Sequence, residues 1–239
     1  MLILHGAGVD HREAEASFQP ALGTYGGLRR IYPDLRGMGQ TPAPAALRSA
    51  DDVLEILLGF GDEVVGQEPT LLVGHSAGGY YGQGFAARRP DRVVGLALVC
   101  PLLAGMSEVP EHRPVIAADD LGDEGFRSYF VVQTPAMLER YLRFVAPASP
   151  SPTWPQWSES ASAGSSPCPM VRRTGAPTLV VAGRQDSTVG YAAAVDLFEH
   201  CPRATLAVLD GAGHALPHEQ PHLLAALLQE WLTRTDSAV

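Results

Sequence analysis

The chain contains no lysine, and all 17 of its basic residues are arginine. That absence excludes a lysine Schiff base with a carbonyl substrate or pyridoxal cofactor. It equally excludes a glycine-rich phosphate loop ending in lysine. Cysteine is scarce: Cys100, Cys168 and Cys201 are widely spaced, forming neither a metal-ligand spacing nor a disulfide framework, which suits a reducing cytoplasm. No apolar run approaches the roughly 18 residues needed to cross a bilayer. Met1-Leu2-Ile3-Leu4 gives way at once to His5-Gly6, unlike a secretory signal. The expectation is a soluble cytoplasmic protein with no membrane partner. Positive charge is also in deficit, with 26 acidic residues and a net charge of −9. Such a surface repels phosphate backbones, and the pairs Arg29-Arg30, Arg88-Arg89 and Arg172-Arg173 are too scattered to form a basic patch, so no nucleic-acid partner is expected.

What is present fits a globular enzyme. Hydrophobic residues make up 46% and charged residues 18% of 239 positions, enough for one large α/β domain or two small ones. Near-continuous apolar runs at 2–4, 28–32, 70–73, 93–100, 178–182 and 205–209 read as strands of a parallel sheet covered on both faces. Ser49, Asp51 and Asp52 open a helix with Val53, Ile56, Leu57, Phe60 and Val64 on one side. Pro221 opens another, on which Leu224, Leu227, Leu228 and Trp231 recur at helical spacing. Strands alternating with helices predict a doubly wound, mostly parallel α/β sheet.

The alternation fails from 101 to 174. Two helices are expected there, at about 123–133 and 134–145. Thr134 would cap the second, Pro135 would open it, and Leu138, Tyr141, Leu142 and Val145 would form its apolar stripe. A Pro- and Ser-rich stretch at 147–169 follows, containing Trp154 and Trp157. The reading is a core of 1–100 and 175–239 with 101–174 as a helical lid over the C-terminal edge of the sheet. The lid aromatics (Tyr129, Phe130, Tyr141, Phe144, Trp154, Trp157) would either wall an apolar pocket or pack a small core of the lid itself.

Chemistry concentrates in a few loops. A serine hydroxyl is a poor nucleophile unless a sharp turn exposes it beside a base. Gly74-His75-Ser76-Ala77-Gly78 has the glycines such a turn needs, with an apolar run before it and a helical pattern at 77–89 after it. Negative charge on a carbonyl oxygen needs two convergent N–H groups. Ala77 would supply one and Ala7, in Leu4-His5-Gly6-Ala7-Gly8, the other. Among eight histidines, His214 in Gly211-Ala212-Gly213-His214 follows an apolar run and could reach Ser76 as base. His5 should brace its loop and His75 should point away from the nucleophile. His218 and His222, with His214 and Glu219, offer metal-ligand types, but Pro217 and Pro221 interrupt any helical pairing, and no metal or cofactor is expected. Asp186, after Gly183-Arg184-Gln185, is the acid to orient the base; Asp210 competes but is better placed as a loop cap. Ser76, Asp186, His214 is one of the chain orders known for a nucleophile, acid and base.

Together these loops resemble the α/β-hydrolase superfamily over most of the chain apart from the lid. Pro33-Asp34-Leu35-Arg36-Gly37-Met38-Gly39-Gln40-Thr41 resembles a turn common in its esterase, epoxide-hydrolase and perhydrolase branches, where Arg36 would brace loops or clamp substrate. Members usually begin with an antiparallel hairpin, whereas here Met1 starts the strand leading to His5-Gly6. A smaller sheet with a less protected edge is therefore expected, inviting an edge contact with a second copy as a homodimer. Serine at position 76 argues against the aspartate-nucleophile chemistry of epoxide hydrolases and dehalogenases.

The resemblance implies a serine hydrolase. Its substrate would be a small molecule with an apolar acyl part, a carboxylic ester, lactone or thioester, cleaved through an acyl-enzyme. The same residues would serve carbon–carbon bond hydrolysis or perhydrolysis, and a hydrolase scaffold can also serve as a ligand-binding protein.

Overall fold

In a computed structural model, the described residues are 1–44, 47–103, 109–148 and 175–236. Trp154, Trp157, Cys168, the Arg172-Arg173 pair and nearly all of the Pro/Ser-rich stretch lie outside them. Five strands, β1 (Leu2–Leu4), β2 (Thr70–His75), β3 (Val93–Val99), β4 (Thr178–Gly183) and β5 (Ala204–Leu209), form one sheet in that spatial order. Every neighbouring pair is parallel.

The run at 28–32 does not become a strand. Only Ile31 bridges to Leu2, on the side of β1 away from β2. The Ile31 amide donates to the Met1 carbonyl and its carbonyl accepts from Ile3. Before it, the Arg29 carbonyl accepts from the Met1 nitrogen on the same edge, and the Arg30 guanidinium turns to the carbonyls of Leu22 and Tyr25. Pro33 has no N–H to extend the ladder. The chain thus leaves β1 outward to Ile31 and returns to β2 on the other side. The path of the chain across the sheet thus reverses at β1, and the loops after β1 and β2 line one cavity at the C-terminal ends of these strands.

Period-2 side-chain alternation makes two cores from one sheet. Leu2, Leu4, Leu72, Leu96, Leu98, Val180 and Ala182 pack under α2 (Ala50–Val64), α3 (Ala77–Arg88) and α6 (Ala192–His200). Ile3, Leu71, Val73, Ala97, Val99, Leu179 and Val181 pack under α1 (His11–Leu22) and α8 (Pro221–Asp236). Ser49 caps α2 in the reciprocal arrangement its sequence predicts, with Asp52 returning a bond to the Ser49 amide. In α8, Trp231 is fully buried and its indole donates to the Pro177 carbonyl at 2.9 Å. That helix lies so close to β3 that a side chain at Gly95 would collide with Trp231 and Thr235.

The excursion between β3 and β4 carries α4 (Glu124–Tyr129), capped by Asp123, and α5 (Pro135–Arg140), capped by Thr134. The first is shorter than expected, ending at Tyr129 rather than near 133. The second widens into a π turn over Tyr141–Val145. That extra residue per turn moves the apolar stripe out of phase, and Leu142, expected to be inside, is 56% exposed. Phe126, Phe130 and Tyr141 form a small third core against Ala215.

Candidate active site

The turn after β2 is built by close backbone packing. A side chain at Gly74 would run into the Gly78 carbonyl, and one at Gly78 into the carbonyls of Leu4 and His5. Only glycine lets α3 start directly against β1 and β2. Between them Ser76 sits at φ 53° and ψ −118°, a strained conformation for a residue with a Cβ. Its amide donates to Val99 and its carbonyl accepts from Gly79 and Leu102, which holds the strain in place.

Three sequence-predicted residues come together here. His214 Nε2 lies 2.9 Å from Ser76 Oγ, and His214 Nδ1 lies 2.9 Å from Asp186 Oδ2. A carboxylate only accepts, so Nδ1 carries the hydrogen and the Nε2 lone pair faces the hydroxyl. The other Asp186 oxygen accepts from the amides of Thr188 and Val189 at 2.8 and 3.0 Å. Burial alone would push the Asp186 carboxyl up, but the facing His214 and these bonds hold it below its usual range. Asp210 instead accepts from the Gln185 side-chain Nε2 at 2.7 Å, tying two loops together.

Ala77 opens α3 immediately after Ser76, where first-turn amides lack intrahelical acceptors. Ala7 lines a cavity of about 360 Å³ with Gly6, Ser76 and His214. Gly6 backs onto the His75 ring and Ser76 Cβ, so its loop stands beside the Ser76 turn. His5 braces that loop: its Nε2 accepts from Leu35, leaving Nδ1–H to donate to the Gly6 carbonyl.

His75 turns from the hydroxyl and donates Nε2–H to the His214 carbonyl at 3.0 Å. Complete burial pushes its pKa down to about 4, so the ring is neutral at pH 7. His75, Cys100 and His214 place ligand-type atoms within 4.8 Å of one another. That set fits a metal poorly, because both His214 nitrogens are engaged and burial pushes the Cys100 thiol well up. The other set of metal-ligand types separates: His222 is exposed, while His218 is fully buried against Glu13.

The sequence reading did not find the second buried constellation. Arg140 Nε donates to His218 Nδ1 at 3.1 Å, which fixes that nitrogen as an acceptor and leaves Nε2–H for Glu13 Oε1 at 3.1 Å. Ser17 donates to the same oxygen at 2.7 Å. Burial works against the Glu13 charge, yet its partners pull the pKa down to about 2. A neutral imidazole therefore bridges a buried carboxylate of α1 to a guanidinium of the excursion. Tyr129, expected either to wall a pocket or to pack the excursion's own core, stands edge-on to His214 with ring centroids 5.9 Å apart. Tyr129, Tyr141, Ser128 and Val145 complete the cavity wall. Arg36 lies elsewhere, in a separate cleft of about 520 Å³ between the Ile31 edge and α2.

A profile of the alpha/beta hydrolase family matches residues 1–227. The chain belongs to the α/β-hydrolase family. Within it, a 2-hydroxymuconate semialdehyde hydrolase of Pseudomonas sp. (strain CF600) is 25% identical, the alignment covering all of this chain and 88% of that protein. Among solved structures, an alpha/beta superfamily hydrolase from Oenococcus oeni PSU-1 superposes with a TM-score of 0.87 at 24% identity, over 98% of this chain and 92% of that one. A thermophilic esterase from Thermogutta terrifontis gives 0.70 at 23% identity, over 98% and 89%. These two likenesses are of fold. No helix among the described residues is long and apolar enough to cross a membrane.

Proposed function

We propose that this α/β hydrolase is a serine hydrolase acting on a small carboxylic ester, lactone or thioester. The observation that carries the reading is the hydrogen-bonded line Ser76–His214–Asp186 opening onto a cavity. Ser76 Oγ attacks the carbonyl carbon while His214 Nε2 takes its proton. Asp186 holds the ring in the required tautomer and stabilises the imidazolium. The amides of Ala7 and Ala77 receive the developing oxyanion, each donor being worth about 3 kcal/mol in comparable sites. His214 returns the proton to the leaving group, and a water activated by the same base then releases the acid from Ser76. The cavity wall of Val9, Val145, Tyr129 and Tyr141 suits a small, largely apolar acyl group. A fluorophosphonate probe should label the folded protein, with the adduct on Ser76 by peptide mass. Folded protein that stays unlabelled would sink the reading.

A second reading rests on the full-length similarity to a 2-hydroxymuconate semialdehyde hydrolase. The same residues would then cleave a carbon–carbon bond next to a ketone. Turnover of vinylogous diketones exceeding that of p-nitrophenyl acetate would favour it.

A further inference from the structure

His214 is reached through a loop whose own anchorage the mechanism above does not use. Glu219 ends the one-turn helix α7 (Leu216–Glu219), five residues after the base. Its Oε2 accepts from the Gly213 amide at 2.7 Å, immediately before His214. Its Oε1 accepts from the amides of Val131 and Val132 at 2.7 and 3.1 Å. Those valines follow directly on Tyr129 and Phe130, and Tyr129 stands against the His214 ring. One carboxylate thus takes three backbone donors, from the base loop and from the excursion that walls the cavity. The Val131 side chain is 1% exposed, and its carbonyl is fixed by the amides of Val115 and Ile116. Neither side of the junction can shift without losing a charge-assisted bond.

We propose that Glu219 is a positioning residue, making the placement of His214 depend on the Tyr129–Val132 segment being seated over the cavity. The inference rests on the serine-hydrolase reading. A displaced segment would leave Glu219 Oε1 without its two amides, so the carboxylate that holds the Gly213 amide could shift; a small misplacement of a base can cost up to about 100-fold in rate.

The test is Glu219→Gln, which keeps the shape but offers one acceptor oxygen and one NH₂ group, so one set of amides meets a donor. With p-nitrophenyl acetate the folded variant should lose about tenfold or more in kcat, with KM changed less than about threefold. Its fluorophosphonate labelling should slow in step. Folded Glu219→Gln with wild-type kcat overturns the proposal. If that variant does not fold, Val131→Pro decides. It removes the excursion's 2.7 Å donor while keeping a small apolar side chain at a buried position, next to Phe130 whose ψ of 132° accepts a following proline. A fall in its kcat supports the coupling; a rise in KM alone overturns it. Wild-type protein that never labels removes the serine-hydrolase reading and this inference with it, whereas a labelling wild type with an equally fast Glu219→Gln removes only the positioning role.

Discussion

Asp186 and His214 meet through a 2.9 Å bond whose acceptor oxygen is free for it, because the other carboxylate oxygen is held by the amides of Thr188 and Val189. The pair is therefore oriented from the acid side. The β4 loop fixes the carboxylate, and the carboxylate fixes the ring. In Asp186→Asn the amide NH₂ can face Nδ1 and select the opposite tautomer, with its hydrogen pointing at Ser76. The expected result is a fall in kcat of about 10³- to 10⁴-fold in a folded protein. Loss of less than about tenfold would show that the acid does not orient the base.

Ser76 is held at a positive φ that disfavours any Cβ. Replacing it by glycine or alanine abolishes the proposed reaction equally, but the two variants should differ in stability. Ser76→Gly is expected to be more stable than Ser76→Ala by about 1 kcal/mol, because only glycine relieves the strain. Urea unfolding of both variants measures the difference, and equal midpoints would argue that the turn is not strained.

Acid stability should fall early. The His75 pKa drops from 6.5 to about 4 in the folded chain, so below 6.5 the unfolded chain takes up a proton that the folded ring refuses. Stability present above pH 6.5 is then lost as pH falls toward 4, at no more than about 1.4 kcal/mol per pH unit from this ring. Glu13, lowered from 4.5 to about 2, adds a second loss as pH falls through that lower window. Urea midpoints across pH 4–7 should decline in wild type, and His75→Gln should flatten the part above pH 4.5. An unchanged slope in that variant would refute the assignment.

Removing the centre of the Arg140–His218–Glu13 bridge leaves the buried Glu13 carboxylate with Ser17 as its remaining donor. His218→Phe should destabilise by about 2 kcal/mol, since it removes a hydrogen bond from a fully buried carboxylate. Adding Glu13→Gln to that variant should restore part of the loss. A double variant as unstable as the sum of the singles would mean that the two side chains do not interact.

The loops that carry Ser76, Asp186 and His214 were legible in the sequence because each is a short glycine-flanked stretch directly after an apolar run. Parallel topology brings such loops to one edge. Helix α1 was not legible. Glu13 and Ser17 interrupt its inward face of Ala14, Phe18, Ala21 and Leu22, and what makes Glu13 tolerable inside is His218, 205 positions away. Local periodicity carries no trace of such a partner. The same holds for Glu219, whose neighbours Val131 and Val132 read only as apolar residues because they contribute their backbone amides. Hydropathy predicts a strand around Ile31, but only a single bridge to Leu2 forms, and Pro33 has no N–H to carry the ladder further.

Helix α8 covers one face of the strands through Trp231 and its bond to Pro177, and it follows every strand in the chain. During synthesis the turn at Ser76 leaves the ribosome early, yet the sheet that supports it has only α1 on this face until residues 221–236 emerge. Completion of that face, and with it the packing of Ala97, Leu179 and Val181 beneath Trp231, therefore waits for the last helix of the chain.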